Sequence, residues 1–251
     1  MHPKLKFKID YKKDIETFFS FNRSAGWDNG RTLEWAFFRK YSFLKKYRKG
    51  NTLKISRGKV TKFVKLIYQK KRDVMSKNMY LYQKNWQGKE KDFYKLAAQL
   101  FSDESWPKGK YIVYPTIWGM YPRFLEDKTF QVPYKHKNRK YINVIIAHEM
   151  LHFIFYDYFY KKYQKYKFDK YNLFVWHISE IFNIIIQNSQ KWLKIFKEKS
   201  KDYPEHRKII NKLKNKYYNK KGWVIDDLID DIIESIRESN SPNLFGCPLE
   251  K

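Results

Sequence analysis

A single cysteine, Cys247, excludes an intrachain disulfide framework. Acidic residues are scarce beside basic ones, 26 against 53, which leaves a formal charge of +27. No stretch of about 18 apolar residues occurs, so no membrane span is expected. The N-terminus, MHPKLKFKIDYKKD, lacks the apolar centre of a secretion signal. These absences lead to the expectation of a soluble, cytoplasmic chain. No internal repeat and no low-complexity linker divides it. Its 251 residues suffice for one large or two small cores, and 20% aromatic content supplies ample apolar surface to bury.

The positive charge has two readings. One is an anionic partner such as nucleic acid. The other is codon bias: Lys, Ile, Tyr, Phe and Asn, all encoded by AT-rich codons, are abundant. Arg, the usual base reader, is far outnumbered by Lys, and the charge is spread over most of the chain. Composition therefore leaves nucleic acid as an unfavoured partner.

Residues 1–86 carry no motif and read as a mostly helical region of unknown role. A short strand near 54–56 leads into a helix, and a second helix is expected over 88–102, with Phe93, Leu96, Ala97 and Leu100 on one face. Residues 110–134, rich in β-branched and aromatic residues and punctuated by Pro and Gly, predict strands near 111–118, 120–125 and 129–133. Helices follow over about 141–163, 172–196 and 223–239. Residues 87–251 are expected to form the second domain, and the whole to be α+β, predominantly helical, with a small mixed sheet.

The helix over 141–163 contains the chemistry. It is apolar on nearly every side yet includes His148, Glu149 and His152. Burying two imidazoles and a carboxylate without partners costs several kcal/mol, ~2–7 per group. The spacing is HExxH. Positions i and i+4 share a helix face, so both imidazoles reach one ion, while Glu149 lies beside it, placed to take a proton from water. With six histidines in the chain, chance gives this pattern on the order of 0.01 times. The ordinary alternative is a pair of core histidines bonded to backbone or tyrosine.

A third ligand is needed. Three and six residues after His152 stand Phe155 and Tyr158, not the Gly and His of the metzincin pattern. In the gluzincin pattern, which the chain resembles here, the third ligand is a glutamate on a later helix, and Glu180 stands 28 residues beyond His152. On that helix His177, Glu180, Asn183 and Gln187 form a narrow polar stripe, which either faces solvent or faces the site. His177 competes with Glu180 as third ligand.

On His148, Glu149, His152 and Glu180 the chain resembles the gluzincin zinc metallopeptidases, of the compact minigluzincin kind, over roughly residues 88–190. The resemblance implies a zincin-like core with an active-site helix and a glutamate helix. It also implies Zn2+ as cofactor, a peptide or protein substrate, and Glu149 as general base in an endopeptidase. It departs from the thermolysin-like pattern around the glutamate: Ser179 replaces Asn, and Asn183-Ile184 replace Ser-Asp. The orienting role of the missing aspartate then passes elsewhere, with Asn183 the first candidate. Donors to a developing oxyanion are sought among His177, Tyr203, His206, Tyr217 and Tyr218. An edge strand with Phe130, Gln131 and Val132 would take an extended peptide as an added strand. The alternative function is a basic nucleic-acid-associated protein with a structural zinc site, or a protease tethered to DNA. The irregular tail from 240 to 251 carries Cys247, a thiolate able in principle to reach a zinc site.

Overall fold

The computed structural model describes residues 2–22, 33–102, 104–164, 172–218 and 224–239. The tail with Cys247 lies outside the described residues. Helices predominate, with one small mixed sheet, as the α+β expectation has it. Among the described residues no helix is long and apolar enough to cross a membrane.

The chain divides into two compact units. A sheet unit comprises Pro3–Lys84 and Gly109–Arg139; a helical unit comprises Met1–His2, Asn85–Lys108 and Lys140–Lys251. The chain passes between the units at His2/Pro3, Lys84/Asn85, Lys108/Gly109 and Arg139/Lys140, so neither unit is a single stretch such as 1–86 or 87–251. The strand segment 109–139, however, groups with the N-terminal residues and not with the HExxH helix.

Asp14 explains that grouping. In the sheet unit, β1 (Lys6–Phe7) is followed by α1 (Tyr11–Phe21), whose first turn is capped by Asp10, its Oδ1 accepting from Lys12 N at 2.9 Å. One turn on, Asp14 is fully buried and accepts from Ile117 N (2.9 Å), Tyr68 Oη (2.8 Å) and Gln131 Nε2 (2.8 Å). Burial pushes its pKa up to about 6, although these bonds and one from Thr116 oppose the rise. Phe18 packs on Phe37 and Trp118, with centroids at 5.0 and 5.4 Å. Gly119 permits a close approach: a Cβ there would meet Trp35 O at 2.5 Å, while Gly119 N donates to Ala36 O at 2.8 Å.

No strand forms at 54–56; the nearest one ends at Leu53, in a hairpin of two-residue strands, β2 (Arg48–Lys49) with β3 (Thr52–Leu53). The two helices expected on either side of residue 88 are one, α2 (Arg57–Leu100). Gly88 does not break it, and a Cβ at that position would meet nothing within 4 Å. Then come β4 (Ile112–Thr116), β5 (Arg123–Phe124) and β6 (Thr129–Pro133). The sheet order is β1-β4-β6-β5, with β1, β4 and β6 parallel and β5 antiparallel to β6.

In the helical unit, α3 (Tyr141–Lys162) is apolar nearly all round and correspondingly buried. α4 (Leu173–Gln187) starts at Asn172, whose Oδ1 accepts from Phe174 N and Val175 N at 2.9 and 3.4 Å. The helix expected to run to 196 stops at Asn188-Ser189, where Asn188 turns to bond Ser200 through both its amide groups. α5 (Gln190–Phe196), α6 (Arg207–Tyr217) and α7 (Ile225–Glu238) complete the unit. α7 places apolar Leu228, Ile229, Ile232 and Ile236 in the core. Its acids pair with Tyr158 (Asp226, 2.6 Å) and Lys216 (Asp231, 2.6 Å).

Candidate metal centre

α3 and α4 run antiparallel, as their cross-helix bonds record: Gln187 reaches Val144, Asn183 reaches His148, and Ser179 reaches Tyr156. This arrangement carries Glu180 onto the face that holds His148 and His152. His148 Nε2 lies 3.0 Å from His152 Nε2 and 3.1 Å from Glu180 Oε2. His152 Nε2 lies 3.3 Å from Glu180 Oε1. One ligand atom from each residue falls within 4.8 Å of the others. Side-chain exposure is 16% for His148, 0% for His152 and 3% for Glu180, so solvent reaches these three residues on the His148 side.

Gln187 orients His148. Its Nε2 donates to Val144 O at 3.0 Å, which turns Oε1 toward His148 Nδ1 at 2.9 Å. An oxygen there accepts, so Nδ1 carries the hydrogen and neutral His148 presents the Nε2 lone pair to the cluster. That lone pair then faces a carboxylate oxygen and a second imidazole nitrogen with little water nearby. Facing acceptors need a hydrogen or a metal ion between them: the neutral His152 tautomer with its hydrogen on Nε2 supplies one such hydrogen, and a metal ion would satisfy all three groups at once. Tetrahedral zinc with bonds of ~2.0–2.1 Å has ligand–ligand edges of roughly 3.3–3.4 Å. The His148–His152 edge of 3.0 Å is within a few tenths of an ångström of that, and each imidazole has its own Glu180 oxygen at 3.1 or 3.3 Å, so the donor set suits the ion.

The electrostatics agree with a cation-seeking site. Burial alone would raise Glu180, but the two imidazoles hold its carboxyl well below the usual range. Burial pulls His148 down, yet Glu180, Glu149 and Gln187 outweigh it and its pKa is raised. Glu149 is buried and close enough for its charge to act on His148.

The polar stripe of α4 faces the protein interior and not solvent, since His177, Glu180, Asn183 and Gln187 are all buried. Asn183, the expected orienting residue, instead donates from Nδ2 to the backbone O of His148 at 3.0 Å. The orienting contact belongs to Gln187, seven residues after Glu180 and again on its face. His177 is outside the three-residue cluster. Its Nδ1 pairs with His206 Nε2 at 2.7 Å, beneath the rings of Trp176 and Tyr203. Burial, then the neighbouring His206, drives His177 down to about 3, and burial lowers His206 as well. Both rings are therefore neutral at pH 7. Of the other oxyanion candidates, Tyr217 Oη is bonded to Asp231, and Tyr218 follows it at the end of α6.

Phe130, Gln131 and Val132 are a correction. They lie on β6, which is an interior strand between β4 and β5, and all three are buried. Gln131 spends its amide on Asp14 and Thr17 (2.8 Å each) and its backbone N–H on Pro122 O (3.0 Å), so it is not open to an added strand. The edge positions in this sheet belong to β1 and β5.

Comparison with family models, with curated proteins and with solved structures finds no match.

Proposed function

We propose that this protein is a zinc-dependent peptidase of gluzincin type, with a zincin-like pair of helices as its catalytic centre. The observation that carries the reading is the convergence of His148, His152 and Glu180 within 4.8 Å, with Gln187 fixing the tautomer of the first. A zinc ion held by these residues supplies Lewis acidity, lowering the pKa of water and polarising a scissile carbonyl. Glu149, next to His148 on α3, accepts the proton of the attacking water and delivers it to the leaving amine nitrogen. The neutral His177–His206 pair is the candidate for holding an N–H toward the carbonyl oxygen.

The test is metal analysis of purified protein beside peptide cleavage, with Glu149→Gln as comparison. The expected result is one zinc per chain in both proteins and cleavage in the wild type alone, because an amide keeps the shape and cannot act as base. Wild-type rates in Glu149→Gln would remove the peptidase mechanism. Zinc-loaded wild type inert toward all peptides would leave the metal site as a structural one.

A further inference from the structure

The division into units redistributes the charge. The sheet unit contains 29 Lys and Arg against 8 Asp and Glu, a net +21, whereas the helical unit contains 24 against 18, a net +6. Codon bias would act on both units alike. It explains abundant lysine in each, but not the loss of balancing acids in one.

Within the sheet unit α2 carries a net +8 of the surplus on one continuous helix. Between Arg57 and Lys84 nine Lys and Arg are exposed and Asp73 is the one acid. Among the described residues none of the nine has an ion pair, and three rest over rings: Arg57 on Phe19, Lys59 on Tyr47 and Lys65 on Tyr11. At 100° per residue, Lys59, Lys62, Lys70, Lys77 and Lys84 fall within an arc of about 80°, on a line roughly 38 Å long at 1.5 Å per residue. Lys59 and Lys62 stand three apart and repel, while the others are seven or eight apart, so the line adds little strain to the helix that carries it.

We propose that the exposed face of α2 in the sheet unit binds the sugar-phosphate backbone of nucleic acid. The reading is independent of the zinc site. A rigid row of cations without acid partners complements a polyanion. A membrane surface fits less well, because insertion needs a continuous apolar face, and that face, with Val60, Val64, Tyr68 and Met75, is in the unit's core, while the exposed Leu66, Val74 and Tyr80 stand singly among the lysines. Lysines contact phosphates as point charges, so binding is expected to ignore base sequence and to weaken steeply with salt.

The experiment is a salt titration of full-length protein binding to a 30-base-pair duplex of arbitrary sequence, followed by fluorescence anisotropy. The protein is treated with chelator so that zinc plays no part. Two variants are compared. One carries Lys62→Gln, Lys70→Gln, Lys77→Gln and Lys84→Gln; the other carries Lys191→Gln, Lys194→Gln, Lys199→Gln and Lys208→Gln, which removes equal charge from exposed positions of the helical unit. Lys and Gln have nearly equal helix propensity, so both variants are expected to fold, and far-ultraviolet circular dichroism checks it. The α2 variant should lose tenfold or more in affinity at 100 mM salt, and its slope of log K against log salt should fall by about three to four, at ~0.9 per phosphate contact. The other variant should stay within about threefold of wild type. Equal losses in both variants, no loss in the first, or no wild-type binding at 100 mM salt would each overturn the proposal. So would tighter binding to phosphatidylserine vesicles than to the duplex.

Discussion

Gln187→Leu probes the centre more sharply than removal of any ligand. The substitution keeps the approximate volume and deletes two bonds, Oε1 to His148 Nδ1 at 2.9 Å and Nε2 to Val144 O at 3.0 Å. An unsatisfied buried donor or acceptor costs ~1–3 kcal/mol, so the metal-free protein should lose about 2–4 kcal/mol of stability. Zinc affinity should fall separately. With no acceptor at Nδ1, His148 is free to carry its hydrogen on Nε2, and loss of such an orienting partner typically weakens metal binding ~10–100-fold. Asn183→Leu is the matched control. It also deletes a buried bond to α3, but that bond ends on the backbone carbonyl of His148 and leaves the imidazole's partner in place. Gln187→Glu should keep the zinc affinity, since a carboxylate still accepts from Nδ1. Zinc competition against a fluorescent chelator measures the affinities, and thermal melts of metal-free protein measure the stabilities. If Gln187→Leu and Asn183→Leu lowered zinc affinity equally, the orienting role of Gln187 would be refuted.

Three further outcomes follow from the same geometry. Glu180→Ala should lose most of its zinc, read by elemental analysis, because two imidazoles hold the ion weakly; full occupancy would transfer the third-ligand role, first to His177. Asp14 has a folded pKa raised from 3.8 to about 6, so its contribution to stability is complete below about pH 4 and is lost as pH rises toward 6. That loss amounts to about 3 kcal/mol at 1.36 per unit, and urea melts between pH 4 and 7 should show it in wild type but not in Asp14→Asn. Gly119→Ala should destabilise the sheet unit by about 2–4 kcal/mol, since its Cβ meets a backbone oxygen that cannot swing away; a melting temperature within 1 °C of wild type would contradict this.

The candidate metal centre was more legible in the sequence than the fold around it. HExxH is local: one helix fixes both imidazoles, and the spacing alone states it. Glu180 could be found because an antiparallel return from α3 limits where a facing carboxylate can stand. Gln187 was visible as a member of the stripe, but its role depends on Val144 O across the helix pair, and no pattern within α4 encodes that carbonyl. The sheet was harder. Whether β6 lies inside or at an edge is decided by β5, two residues long, and β1, two residues long and more than a hundred residues away. Segments that short have no periodicity to read. The break between α4 and α5 likewise turns on Asn188 finding Ser200, a contact made by a loop.

The interleaving of the two units bears on synthesis. When residue 139 has left the ribosome, every strand of the sheet and the buried Asp14 cluster can form, with residues 85–108, the second part of α2 and the turn after it, as an insertion between the unit's two segments. The helical unit at that moment possesses only this insertion and the first two residues. Its three candidate ligands come together only after Glu180 has been made, and the clamp on His148 waits for Gln187. A fragment starting at residue 87 would still contain the whole metal cluster. It would also release β4 and β6 without β1 or α1, leaving Ile117 N and Gln131 Nε2 without the carboxylate they bond. Such a fragment is expected to precipitate through its orphaned sheet, although it retains the sequences of α3 and α4 whole.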